Sequence, residues 1–163
     1  MTSATKALLI LTICSFLISW IPSDQPAPSS YKCLVQLTNY KGEGAYMIVS
    51  LIDPDGKYDE TLYVMGKDKE WYPDMEQWWA YYNESPFDID GISGATIAGG
   101  ERTICVITFD KSKLDAGYKL RFETAVEDQQ YVVDDVEFPL TSANVSGKFE
   151  GKGYIRYIRM VPN

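Results

Sequence analysis

The strongest constraint on the fold is a succession of short apolar segments, each cut off by turn residues before it can complete a helix. Residues 32–38 and 45–52 are two such runs, separated by Gly42-Glu43-Gly44. Asp53-Pro54-Asp55-Gly56 closes the second run with a tight turn, because proline presets φ and glycine takes the left-handed position. Residues 60–65 follow as a third strand, and these three are expected to form a meander. Residues 102–109 are almost continuously apolar. Over 118–126 the pattern alternates, with Leu120, Phe122, Thr124 and Val126 on one face and Arg121 and Glu123 on the other. Gln129-Gln130 turns the chain into 131–138, which Pro139 ends. Residues 147–153 read as a flexible, charged connection to a last strand beginning at 154. About seven strands with turns at this spacing predict an all-β, two-sheet β-sandwich, a small partly open β-barrel being the alternative.

One stretch breaks the strand pattern. Residues 73–82 predict a short helix: Pro73 suits its start, Asp74 its N-terminal end, and Met75, Trp78, Trp79 and Tyr82 recur at helical spacing. Pro86 disfavours helical geometry at Ser85 and ends the element. Its rings have two uses. They can plug the open end of the core, or Trp78, Trp79, Tyr81 and Tyr82 can form a platform for something flat.

The N-terminus has a different character. Residues 7–21 are an apolar run preceded by Lys6 and followed by Pro22-Ser23-Asp24, which predicts an export signal over 1–21. No Ala-x-Ala site follows, so an uncleaved N-terminal anchor is the alternative reading. Ile13 precedes Cys14 where a lipoprotein signal requires a small residue. Residues 22–30, rich in proline and serine, read as a stiff tether, leaving 31–163 as a single domain. The expected location is periplasmic or otherwise extracytosolic.

Composition removes whole classes of chemistry. There is no histidine, which excludes Ser-His-Asp triads, Cys-His pairs and histidine-based metal sites. Cys33 and Cys105, the two cysteines outside the apolar run, sit in strand-like segments and read as buried free thiols, although export permits a disulfide. The net charge of −8, with no cluster of Lys or Arg along the chain, argues against nucleic acid and against an anionic membrane surface. Asp53, Asp55, Asp59 and Glu60 lack the spacing of a calcium-binding hand. No stable metal site is expected.

Chemistry concentrates in residues 88–96, Asp-Ile-Asp-Gly-Ile-Ser-Gly-Ala-Thr, continuing into Gly99-Gly100. Glycines allow close approach by another molecule, and Ser93 and Thr96 place hydroxyls beside them. The composition suits a modification or docking loop. Asp90-Gly91-Ile92-Ser93-Gly94-Ala95-Thr96 resembles the flavin-attachment motif D-x-x-[S/T]-G-A-[S/T] of bacterial extracytosolic electron-transfer subunits. That resemblance implies FMN joined through its phosphate to Thr96 by a separate, magnesium-dependent flavin transferase, with Asp90, Ser93, Gly94 and Ala95 completing the motif. Ala98 departs from the further Ser or Thr often found two positions after the acceptor.

The wider chain resembles the bacterial periplasmic domain-of-unknown-function family 2271, through Tyr46-Met47-Ile48-Val49, Asp55-Gly56, Thr61-Leu62, Lys67, Trp71, Trp78, residues 93–96 and Gly117-Tyr118. The resemblance implies an immunoglobulin-like sandwich and an accessory role in redox systems, with a flavin transferase and a PepSY-type membrane redox protein as partners. Under it, Trp78, Trp79, Tyr81 or Tyr82 stacks on the flavin, and the protein is an electron carrier rather than a stand-alone enzyme. The alternative function is a non-redox binding or scaffold module of the envelope, with residues 88–96 as its contact loop.

Overall fold

The structure, a computed structural model, describes residues 28–163. The expected signal or anchor at 1–21 and most of the tether lie outside the described residues. Nine strands are described: β1 Pro28–Leu37, β2 Tyr46–Ile52, β3 Tyr58–Met65, β4 Ser93–Gly94, β5 Arg102–Asp110, β6 Lys119–Ala125, β7 Val132–Pro139, β8 Lys148–Glu150 and β9 Ile155–Pro162. They form a four-stranded sheet in the order β5-β1-β9-β8 and a five-stranded sheet in the order β4-β3-β2-β6-β7. Both sheets are open, so the fold is the sandwich and not the barrel.

Alternation explains the shared core. Cys33, Val35 and Leu37 of β1 point inward with Ile107 and Phe109 of β5, against Met47, Val49, Leu51, Phe122 and Phe138 of the other sheet. Burial of each large apolar side chain contributes roughly 1.5–3 kcal/mol before entropy is counted. Strand β2 differs from β1 in being buried at all seven positions. Its second face needs a cover. Residues 69–92 supply it: a 3-10 turn at Lys69–Asp74, the helix α1 at Glu76–Glu84 and a second 3-10 turn at Asp90–Ile92. Tyr72, Met75, Trp78 and Ile89 from this segment close a second core over Tyr46, Ile48, Val64 and Ala125.

Several expectations are corrected. The first three strands are not a meander, because β1 pairs with β5 and β9 whereas β2 pairs with β3 and β6. The link across 38–45 is longer than a tight hairpin loop and carries the chain from one sheet to the other. Pro73 lies within the 3-10 turn rather than at the start of α1, whose N-terminus at Met75 has no side-chain cap. Glu123 is fully buried, because the helical roof covers the face that alternation assigned to solvent. Strand β1 begins at Pro28, within the expected tether. Residues 147–153 contain β8, and Asp135 holds the following turn: its carboxylate accepts from the backbone N–H of Lys152, Gly153 and Ile155 at 2.8–2.9 Å and from the Thr124 hydroxyl at 2.6 Å.

Cys33 and Cys105 face each other across β1 and β5 as buried free thiols. Hydrogen bonding to Cys105, together with burial, pushes the Cys33 thiol far up. Such a group is a poor nucleophile.

Candidate functional site

The loop bearing the two hydroxyls is fastened along its length. The Asp88 carboxylate accepts from the Asp90 N–H at 2.9 Å, and buried Ile89 anchors the first turn in the second core. Strand β4 then runs parallel to β3, pairing Ser93 with Val64 and Gly94 with Met65. The Gly66 N–H donates to the Gly94 carbonyl at 2.8 Å. A methyl group on Gly94 would lie 2.1 Å from the Tyr63 hydroxyl, so glycine leaves room for the tip of Tyr63 against this edge strand. Past the acceptor position, the Ala45 N–H and the Tyr40 hydroxyl both donate to the Ile97 carbonyl, at 2.8 and 3.1 Å. The Ala98 N–H donates to the Glu101 carboxylate at 2.8 Å.

Thr96 therefore stands half-buried between fixed points at 94 and 97. Its hydroxyl makes no hydrogen bond among the described residues, whereas that of Ser93 donates to the Asp90 carbonyl at 3.4 Å. Gly44 faces Thr96 closely: a methyl group there would come within 2.6 Å of Thr96 Oγ1. The free hydroxyl thus depends on a glycine some fifty residues upstream in the chain.

Beside this loop lies a cleft of about 190 Å³ lined by Lys67, Lys69, Tyr72, Asp90 and Ser93. Lys69 Nζ is 3.8 Å from the Asp90 carboxylate, with both groups largely exposed, so the pair adds little stability and leaves the charges available. The Tyr72 hydroxyl donates to the Gly66 carbonyl at 2.9 Å. Burial, with smaller contributions from neighbouring phenols and carboxylates, pushes that phenol up to about 12, and Tyr72 stays neutral with its ring packed against Tyr46, Trp78 and Trp79. Two cations, one carboxylate and a hydroxyl suit a ligand that bears a phosphate.

The four rings expected to form a platform are divided. Trp78 is fully buried, its indole N–H donating to the Thr61 hydroxyl at 2.9 Å, and it has no face free for stacking. As a stacking residue it is corrected to a core residue. Tyr81 is stacked on Tyr58 at 5.1 Å and 18°, with its hydroxyl on the Asp59 carbonyl. Trp79 and Tyr82 form a half-buried stacked pair at 5.4 Å and 18°. Trp79 lies 6.2 Å, ring to ring, from Tyr72 of the cleft. Sequence reasoning missed Lys69, Tyr72 and Gly44 as members of the site. The Lys67, Lys69 pair carried a readable signal, two cations two residues apart just after a strand. Gly44 carried none.

A separate polar cluster lies on the same sheet. Tyr131 donates to the Glu123 carboxylate, and the Arg121 guanidinium lies over the Tyr58 ring and pairs with Glu137 at 2.7 Å. Burial pushes Glu123 up to about 7, against the opposing hydrogen bond from Tyr131. Among the described residues no group of three acids or cysteines is placed to hold a metal ion.

Comparison with protein families matches residues 28–157 to the family described as Predicted periplasmic protein (DUF2271). No curated protein and no solved structure matches the chain.

Proposed function

Since the chain belongs to DUF2271, a family of predicted periplasmic proteins, we propose that it is an extracytosolic electron carrier with FMN attached through a phosphoester to Thr96. The observation that carries this reading is a Thr96 hydroxyl with no hydrogen bond among the described residues, on a pinned loop whose Asp90 and Ser93 line the cleft with Lys67 and Lys69. In an acidic chain of net charge −8, two lysines converging there supply the local positive charge that a flavin phosphate requires. Bound FMN supplies the one- and two-electron chemistry.

In the attachment step Thr96 Oγ1 attacks the FMN phosphorus of FAD, the diphosphate bond breaks, and AMP leaves with the bonding pair. A separate transferase supplies the magnesium and the base that takes the hydroxyl proton. Residues 94 and 97 hold the acceptor in a fixed direction, which lowers the orientational cost of an in-line displacement. Lys67 and Lys69, which line the cleft with Ser93, would compensate the phosphodiester charge, and Trp79, 6.2 Å from the Tyr72 ring, would offer half-buried ring surface together with Tyr82. A PepSY-type membrane redox protein is the proposed electron partner.

Co-export with a competent flavin transferase tests this reading. Intact mass should show one added FMN phosphoryl group, and flavin fluorescence should persist on a denaturing gel. Thr96→Ala should abolish both without altering the fold, while Ser93→Ala should retain the label. A colourless wild-type chain beside a labelled positive control overturns the proposal, as does a label that survives in Thr96→Ala.

A further inference from the structure

The outer face of the four-stranded sheet carries a second site, built from residues scattered over the whole chain. Strand register sets Lys32 beside Val106 and Val161, Leu34 beside Ile104 and Arg159, and Gln36 beside Arg102 and Tyr157. Lys148 of β8 pairs with Arg159 and extends the same face. Leu34, Ile104, Val106 and Val161 are 36–60% exposed, and they are the large apolar side chains left exposed among the described residues. Lys32, Arg102, Lys148 and Arg159 form no ion pair with any described residue, while every ion pair that is formed lies elsewhere. Glu150, opposite Tyr157, and Asp110, at the far end of β5 opposite Pro28, are the carboxylates on this face. A groove of about 360 Å³ runs over Leu34 and Ile104 between Arg102, Lys148, Tyr157 and Arg159.

We propose that this face docks on an anionic phospholipid surface of the envelope. Apolar side chains rimmed by unpaired cations match the acyl boundary and the headgroup layer, and Tyr157 has the amphipathic ring that settles between the two. Each cation near such a surface contributes roughly fivefold in partitioning. The remaining surface holds the excess of acids that gives the chain its charge of −8, so repulsion there orients the molecule with this face down. Chain connectivity agrees. Residues 1–27 enter the structure at Pro28, the first residue of a strand in this same sheet. Residues 22–27, fully extended, span at most about 20 Å, so an apolar run at 7–21 held in a bilayer keeps this sheet within reach of it. The sequence argued against a membrane surface for want of clustered positive charge; strand pairing assembles the cluster.

The test uses the exported full chain in co-sedimentation with vesicles of phosphatidylcholine, alone or with about a third of the lipid as phosphatidylglycerol. Any insertion of an N-terminal apolar segment contributes to both vesicle types, so the ratio of the two partition coefficients isolates the face. Phosphatidylglycerol should raise partitioning at least about tenfold at low salt, the gain shrinking as salt screens it. Lys32→Glu with Arg159→Glu should abolish the gain, while Lys41→Glu with Lys57→Glu, at exposed positions in loops outside these strands, should keep it. The milder pair Lys32→Gln with Arg159→Gln should reduce the gain without reversing charge, and an unchanged near-ultraviolet circular dichroism spectrum confirms the fold of each variant. A ratio near one for the wild type overturns the proposal and transfers the face to an acidic protein partner. A gain that survives the Lys32, Arg159 reversals overturns it equally. Neither outcome depends on flavin attachment.

Discussion

On the five-stranded sheet the outer face is roofed by residues 69–92, which withdraw Tyr46, Ile48, Val64, Tyr72 and Trp78 from water. On the four-stranded sheet the outer face stays open, and Leu34, Ile104, Val106 and Val161 remain in contact with solvent. The difference starts in the strands. β2 is buried on both faces and obliges the chain to spend a helix on covering it, whereas β1 alternates between buried and exposed positions and needs no cover. The roof also creates an edge, and the candidate attachment loop is that edge: its first turn is anchored by Ile89 in the roofed core, and β4 finishes the roofed sheet. Rigidity and an internal core go with one face, recognition of an external surface with the other.

Trp78 anchors the roofed face. Trp78→Ala removes the largest fully buried side chain and leaves the Thr61 hydroxyl without its donor. The expected cost is about 3–5 kcal/mol, read as a lowered midpoint in urea denaturation. A loss no greater than that of a surface substitution would show that the roof is not part of the cooperative core.

Glu123 makes the stability of the roofed face depend on pH. Its folded-state value of about 7 lies above the ordinary 4.5 because the roof buries it. The folded state therefore holds the proton more tightly, so the contribution is fully present below about 4.5 and is lost as pH rises through about 7. At roughly 1.4 kcal/mol per unit the loss approaches about 2–3 kcal/mol. Glu123→Gln keeps an acceptor for Tyr131 and cannot ionise, so its stability relative to wild type should rise by that amount between pH 4.5 and pH 8. A constant difference across the range would mean that Glu123 is not sealed from water.

Gly44→Ala probes the edge of the roof. The added methyl group would lie 2.6 Å from Thr96 Oγ1, and overpacking at a fastened loop costs about 1–2 kcal/mol. Because the displaced atom is the proposed acceptor, flavin labelling should fall by more than the loss of folded protein explains. Labelling that merely follows the folded fraction would free Gly44 of any positioning role.

Much of this was legible in the sequence, for identifiable reasons. Alternation and turn residues located the long strands, and the clustered glycines and hydroxyls located the loop at 88–96. What stayed hidden depends on contacts between distant segments. Nothing local tells β1 to join β9 rather than β2, because both pairings satisfy its inward face. β4 and β8 have two and three residues, too few for a period to register. β8 also sits in a charged, glycine-rich stretch whose order is imposed from outside by Asp135. The cleft was hidden in the same way: Lys67 and Lys69 meet Asp90 and Ser93 because β4 pairs in parallel with β3.

The smallest expected effect on folding is the one that separates the two faces. Ile104→Ser changes a side chain that is 60% exposed on the edge strand β5, makes no cavity and unpairs no buried group. Its effect on stability should stay within about 0.5 kcal/mol, an order of magnitude below that of Trp78→Ala. If the open face is a docking surface, the same substitution removes apolar area that only the partner buries, and partitioning into phosphatidylglycerol-containing vesicles should drop several-fold. Urea denaturation and vesicle co-sedimentation on this one variant therefore give opposite answers for a docking residue and the same answer for an idle one. A residue that neither stabilises the fold nor changes partitioning would return the open face to ordinary exposed surface.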